Sequence, residues 1–325
     1  MIVTLSKGAD GAAVKKQLVA RGLWVERLEG AEVVAFQVSP SSRPIDSDEL
    51  RSVQGVADVL LSAPAHPEVS KQSSIVKVGP HELGPGAPFA VFSGPCSIDS
   101  EERIHRLARD LAQAGATFLR GGAFKPRTSP YSFQGYGVEA LKWMKQAAKD
   151  AGLAMVTECM SEATVDDVAE YADMVQIGSR NMQNYALLKE VGATGRPVML
   201  KRGMAATVKE WLLAGEYLLM HGAGGVVFCE RGIRGFDSST RNLLDLGSVA
   251  DMAHAKKVAV IVDPSHASGR LDLVPHLARA AKALGAHGAM FETHDDPGSA
   301  LSDGPQALSV EAAVSLTREL TESRA

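Results

Sequence analysis

From residue 89 onward, short apolar runs alternate with longer stretches whose apolar positions recur every three or four residues. The runs fall at 89–93, 117–120, 154–157, 174–177, 198–200, 226–229, 259–262 and 289–292. Between them lie amphipathic stretches such as 103–114, where Ile104, Leu107, Ala108 and Leu111 take the i, i+3, i+4, i+7 spacing of one helix face. A run with no polar alternation is a strand buried on both sides, as parallel strands covered by helices are. Eight such strands with intervening helices over residues 89–325 predict an α/β protein with a (β/α)8 TIM barrel rather than an open sheet.

Residues 1–61 have a different period. Strands are predicted at 2–5, 23–28, 32–38 and 56–61, and helices at 9–21 and 46–53, with Val14 and Leu18 on one face of the first helix. Gly30 supplies positive φ for a turn between the second and third strands. The order βαββαβ predicts a small ferredoxin-like domain. It carries no cluster of catalytic residue types, which makes it a regulatory or oligomerisation module. Residues 62–88 hold five of the chain's 15 prolines and predict a linker, with a short strand at 75–78.

Composition narrows the class. With 45% hydrophobic and 22% charged residues among 325, the chain is an ordinary globular sequence. A net charge of −4 gives no reason to expect nucleic acid or an acidic membrane as partner. There is no run of eighteen apolar residues, and MIVTLSKGAD lacks a signal-peptide pattern, so a cytoplasmic protein with no membrane partner is expected. Three cysteines, Cys96, Cys159 and Cys229, form no disulfide framework. In a reducing compartment each is core filler or a ligand.

Active sites of such barrels lie at the C-terminal ends of the strands, and there the chemistry collects. The strands run in turn into Cys96; Arg120; Glu158; Gly178, Ser179 and Arg180; Lys201 and Arg202; Glu230, Arg231 and Arg234; Asp263 and His266; and Glu292, with Asp303 further on. The second strand leads into LRGGAFKPRTSPYSFQG, a loop that places Arg120, Lys125 and Arg127 within eight residues among glycines and prolines. Six cations facing one mouth (Arg120, Lys125, Arg127, Arg180, Lys201, Arg231) would repel unless anions balance them. Two phosphates, at about −2 each near neutral pH, plus a carboxylate would do so. A second set, Cys96, His266, Glu292 and Asp303, combines thiolate, imidazole and carboxylate, which suits a divalent transition metal better than Ca²⁺ or Mg²⁺. Four such ligands leave open positions for substrate or water.

Together GPCS, the KPRT loop, QIGSRNMQN, LKRG, CERGIR, VDPSHASGR and ALSDG closely resemble 3-deoxy-D-arabino-heptulosonate 7-phosphate (DAHP) synthases, in the branch with a ferredoxin-like domain before the barrel. The resemblance covers the barrel in order and implies a transferase that opens the shikimate route by condensing phosphoenolpyruvate with erythrose 4-phosphate. It implies that Cys96, His266, Glu292 and Asp303 hold a divalent metal (Mn, Fe, Co or Zn). It further implies that Arg120, Lys125, Ser179, Arg180, Lys201 and Arg231 bind phosphoenolpyruvate, and that Pro126, Arg127 and Thr128 bind erythrose 4-phosphate. Lys125 is the candidate for proton transfer, with Cys96 and His266 also catalytic; Glu158, Arg202, Arg234 and Asp263 are left without a firm role. The family further implies feedback inhibition by tyrosine or phenylalanine through the small domain, and a homotetramer.

Three rivals stand beside this reading. The sister enzyme making 3-deoxy-D-manno-octulosonate 8-phosphate from arabinose 5-phosphate typically reads KANRSS where this chain reads KPRTS, and the difference favours the shorter sugar. A Schiff-base aldolase would use Lys201 as nucleophile beside Arg202. A non-catalytic phosphosugar sensor would have no need of an intact metal set.

Overall fold

The computed structural model describes residues 1–29, 34–62, 65–125, 131–302 and 304–322. The chain divides into two compact units, Met1–Ala65 and His66–Ala325. In the first, β1 (Ile2–Leu5), α1 (Gly11–Ala20), β2 (Val25–Glu29), β3 (Val34–Val38), α2 (Ser47–Arg51) and β4 (Val56–Leu60) follow one another. The four strands pair antiparallel in the order β2-β3-β1-β4. Period two in β1 buries Val3 and Leu5 and leaves Ile2 and Thr4 half-buried. The buried face meets Val14 and Leu18 of α1 and Leu50 of α2 in one core with Phe36 and Val59. Asp10 starts α1 by accepting the Ala12 and Ala13 N–H groups. Gly30, read as the turn residue, lies outside the described residues.

From His66 onward the stretch read as a linker belongs to the second unit and carries regular structure. It forms α3 (Pro67–Lys71) and a hairpin of β5 (Val76–Val78) with β6 (His81–Leu83). The hairpin is too short to show a period, and its second strand was not predicted. Its inward residues Val76, Val78 and Leu83 join Phe92, Phe118 and Met290 in the barrel interior. The His81 ring packs, tilted, with its centroid 5.3 Å from that of Phe118, the first residue of its strand, so the hairpin closes the N-terminal end of the barrel. Helix α3 is held by Glu216, whose carboxylate accepts the Glu68 and Val69 N–H groups at 2.8 and 2.9 Å. A carboxylate at a helix N-terminus satisfies orphan donors and complements the helix dipole.

The predicted apolar runs become β7 (Ala90–Gly94), β8 (Phe118–Arg120), β9 (Ala154–Cys159), β10 (Met174–Ile177), β11 (Val198–Lys201), β12 (Val226–Glu230), β13 (Val260–Val262) and β14 (Gly288–Glu292). All eight pair in parallel, and β14 pairs with β7 to close the barrel. Helices α4 (Glu101–Gln113), α5 (Val138–Ala151), α6 (Val165–Tyr171), α7 (Tyr185–Ala193), α8 (Val208–Met220), α9 (Leu246–Ala250), α10 (Pro264–Ser268), α11 (Val274–Leu284) and α12 (Val310–Thr321) complete the unit. Alternate strand residues face two cores. Val91, Leu119 and Val175 pack outward with the helices, whereas Phe92, Phe118 and Val156 fill the barrel. Phe92 and Phe118 stack with centroids 4.1 Å apart. A filled interior makes the barrel a rigid platform, and what stands on its C-terminal rim is held by packed strands.

Candidate active site at the barrel mouth

Arg120, Lys201 and Glu292 are the last residues of β8, β11 and β14, and Cys96 lies just past β7. Residues far apart in the sequence are thereby placed on one rim. Arg120 is buried; its Nη1 donates to the Pro95 carbonyl at 2.8 Å and lies 3.4 Å from Glu292 Oε1. The Lys125 ammonium, also buried, donates to the Cys96 carbonyl at 2.9 Å and to Cys96 Sγ at 3.1 Å. Ser302 Oγ stands 3.0 Å from the same sulfur. Cys96, Arg120, Lys125, Glu158 and Gln176 surround a cavity of about 10 Å³.

Next to them His266, on α10, points both ring nitrogens at carboxylates. Nδ1 is 2.8 Å from Asp263 Oδ2 and Nε2 is 3.5 Å from Glu292 Oε1. The Nδ1 contact is short but poorly aligned, so Nδ1 has no proper hydrogen-bond partner. Asp263 also receives Lys201 Nζ at 2.5 Å and the His266 backbone N–H at 3.0 Å. Burial pushes the Asp263 carboxyl upward, but His266 and Lys201 outweigh it and hold the group well below the usual carboxylate range. Glu292 is fixed from its other side by Gln306 Nε2 at 2.7 Å.

The expectation that the cations balance only against bound anions needs correcting. Lys201 is paired with Asp263 and Arg120 with Glu292 inside the protein. Arg202, left open by the sequence, is structural: its Nη1 meets Glu230 Oε2 and Asp245 Oδ2, both at 2.9 Å, and it lies 5.8 Å from the Trp211 ring centroid. Burial raises Glu230 and Arg202 opposes the shift. Arg234 is exposed, away from this network. Beside His266 Nδ1, the buried polar atoms on this rim without a hydrogen-bond partner among the described residues include Arg120 Nε, Arg231 Nη1 and Ser179 Oγ. Burial also pulls the Arg231 guanidinium down, against Asp263. Buried donors of this kind are normally satisfied, so their convergence on one rim marks a place for an acceptor. Ser179 and exposed Arg180 line a shallower cavity of about 200 Å³ with Gly203 and Met204.

For a metal, His266 Nε2 and Glu292 Oε1 stand at the separation that two ligands of one tetrahedral ion have, about 3.4 Å from ordinary bond lengths. Cys96 adds a thiol on the neighbouring strand end. Among the described residues no group of three or more His, Cys, Asp or Glu forms a metal-holding set. Asp303, Pro126, Arg127 and Thr128 lie outside the described residues. The sequence reading missed Ser302, Gln306 and Gln176 as partners of the site. Ser302 alone had a signal, standing inside ALSDG.

Comparison with known proteins bears on this rim. Residues 68–325 match the model of the DAHP synthetase I family. A phospho-2-dehydro-3-deoxyheptonate aldolase of Thermotoga maritima is 40% identical over 98% of this chain and 96% of its own. A 2-dehydro-3-deoxyphosphooctonate aldolase of Acidithiobacillus ferrooxidans is 31% identical over 70% of this chain and 86% of its own. The crystal structure of the Thermotoga maritima DAHP synthase superposes with a TM-score of 0.76 at 38% identity, covering 98% of this chain and 95% of that one. A truncated form of the Thermotoga maritima enzyme covers 75% of this chain and 89% of its own, with a TM-score of 0.69 at 41% identity.

Proposed function

The chain belongs to the DAHP synthetase I family and forms DAHP, and we propose that it does so at the barrel rim from phosphoenolpyruvate and erythrose 4-phosphate. The observation that carries the assignment of the site is the set of buried, unpartnered donors on Arg120, Arg231 and Ser179. They stand on the same rim as the Cys96–Lys125 and His266–Glu292 pairs.

In this reading Arg120, Arg231 and Ser179 hold the phosphate and carboxylate of phosphoenolpyruvate, with Lys125, Arg180 and Lys201 around it. Arg127 and Thr128 hold the phosphate of the sugar, and Pro126 shapes the loop for the four-carbon aldehyde. C3 of phosphoenolpyruvate attacks the aldehyde carbon, C2 takes up water, and phosphate leaves by C–O cleavage. Lys125 moves the proton at the new alkoxide, being the buried ammonium between the two substrates. The fixed guanidinium groups compensate the charge that develops on the departing phosphate. Cys96, His266, Glu292 and Asp303 would hold a divalent cation (Mn, Fe, Co or Zn), which supplies a Lewis acid for the aldehyde oxygen. The first unit senses tyrosine or phenylalanine, and the enzyme is a cytoplasmic homotetramer of the shikimate route.

A phosphate-release assay tests this. With phosphoenolpyruvate, erythrose 4-phosphate and Mn²⁺, one phosphate should appear per DAHP; a chelator should stop release and Mn²⁺ should restore it. Turnover that prefers arabinose 5-phosphate, or phosphate release unaffected by the chelator, would overturn the reading.

A further inference from the structure

Two segments leave the rim side by side, one following β7 and carrying Cys96, the other following Glu292 at the end of β14. Past the strands their backbones stay joined only briefly, through the Thr293 N–H donating to the Gly94 carbonyl at 2.9 Å. Beyond that point a buried side-chain pair takes over. His294, 3% exposed, places Nε2 3.1 Å from Oδ2 of Asp99, whose side chain is 4% exposed. His294 Nδ1 accepts the Asp296 N–H at 3.1 Å, which leaves the ring proton on Nε2 to be donated to Asp99. Arg103 completes the link: it donates to Asp99 at 2.8 Å and lies 2.5 Å from Asp295. Arg106 joins it on Asp295.

His294 also ties in a third segment. Its backbone N–H donates to the Leu308 carbonyl at 3.0 Å, and the Leu308 N–H donates to the Glu292 carbonyl at 2.9 Å. Gln306, from the stretch between Asp303 and Leu308, holds the Glu292 carboxylate itself. One buried histidine therefore joins the segments that bear Cys96 and Glu292 and the segment that follows Asp303.

We propose that Asp99 and His294 are positioning residues for the divalent cation. They hold the adjacent Cys96 and Glu292 strand ends in place, and so set metal affinity without touching the metal. This inference rests on the metal reading given above. The physical reason is preorganisation: ligands on two segments bind weakly when binding must also bring the segments into place, and groups that fix ligand orientation are typically worth about 10–100-fold in affinity.

The test is Mn²⁺ titration of the metal-stripped full chain, followed by electron paramagnetic resonance, with the melting temperature of each metal-free protein. His294→Leu keeps buried volume but removes the donor, and should weaken Mn²⁺ by about 10–100-fold. His294→Gln, which can still donate toward Asp99, should recover most of the loss. Asp99→Ala should weaken Mn²⁺ by a similar factor but cost nothing further in the His294→Leu background. Metal-free melting temperatures should stay within a few degrees for Leu and Gln alike. Cys96→Ala and Glu292→Gln are the controls that separate the two readings. If they bind Mn²⁺ like the wild type, the metal assignment fails and this proposal with it. If they lose Mn²⁺ while His294→Leu binds within twofold of wild type, the positioning role alone is overturned. Equal losses for Leu and Gln would also overturn it, because the donated hydrogen bond would then not be the cause.

Discussion

Arg231 follows β12 with a buried guanidinium nitrogen, Nη1, that has no hydrogen-bond partner among the described residues. A substrate oxygen accepting from that nitrogen makes a charge-assisted bond, worth about 1.5–3 kcal/mol. Arg231→Met should therefore raise the KM for phosphoenolpyruvate by one to two orders of magnitude and leave the KM for the sugar nearly unchanged; steady-state rates with each substrate varied in turn would show otherwise if both moved together. Cysteine chemistry offers a second check at this scale. Burial pushes the thiols of Cys159 and Cys229 upward, Cys229 the further. A raised thiol pKa means less thiolate at pH 8, so neither should react with iodoacetamide in the native protein, and both should react in guanidinium. Peptide mapping after labelling decides it, and native labelling of Cys229 would refute the buried placement.

Elements matter here through their ends. The loop after β8 is closed at its base by the Lys125 N–H donating to the Gln134 carbonyl at 2.9 Å and the Gly137 N–H donating to the Ala123 carbonyl at 3.0 Å. Between those bonds Gly135 sits at φ +93°, and a Cβ there would fall 2.0 Å from the Ala123 carbonyl oxygen. Only glycine meets both conditions without moving Lys125. Gly135→Ala should lower kcat by an order of magnitude or more through a displaced Lys125, with little change in melting temperature, since residues 131–137 include no buried side chain. Measuring the two together is the check: a large melting shift with normal kcat would place the cost in the fold. The basic character of this loop was legible as a pattern of residue types. That its lysine lies against the Cys96 sulfur, 29 positions earlier in the chain, was not.

For the whole molecule, the division between Ala65 and His66 has a practical consequence. Removal of residues 1–65 should leave synthesis of DAHP intact and abolish inhibition by tyrosine or phenylalanine; inhibition that survives the deletion would defeat the regulatory role of the first unit. Extending the deletion through Gln72 should cost stability instead. It removes α3, strands the buried Glu216 carboxylate without its two N–H donors, and deprives Val226 of the Gln72 bonds at 3.0 and 3.2 Å. Each hydrogen bond lost is worth about 0.5–1.5 kcal/mol, and the longer truncation should melt below the shorter one. Among the described residues no helix is long and apolar enough to cross a membrane.

The amino-acid sequence alone determined the eight strands, the helices between them and the residue types on the rim. Those follow from local periodicity and from the rule that polar residues bounding a buried strand lie at its ends. It also carried the motif order that pointed to the family. Tertiary structure alone decided which charges are already neutralised and which await a ligand. Lys201 finds Asp263 across 62 positions because β11 and β13 flank β12 on one rim, and His294 finds Asp99 across 195 because barrel closure sets β14 beside β7. Closure also turned a proline-rich stretch into the hairpin that seals the barrel floor. Contacts of this range depend on where the strands meet in space, and no window along the chain contains that information.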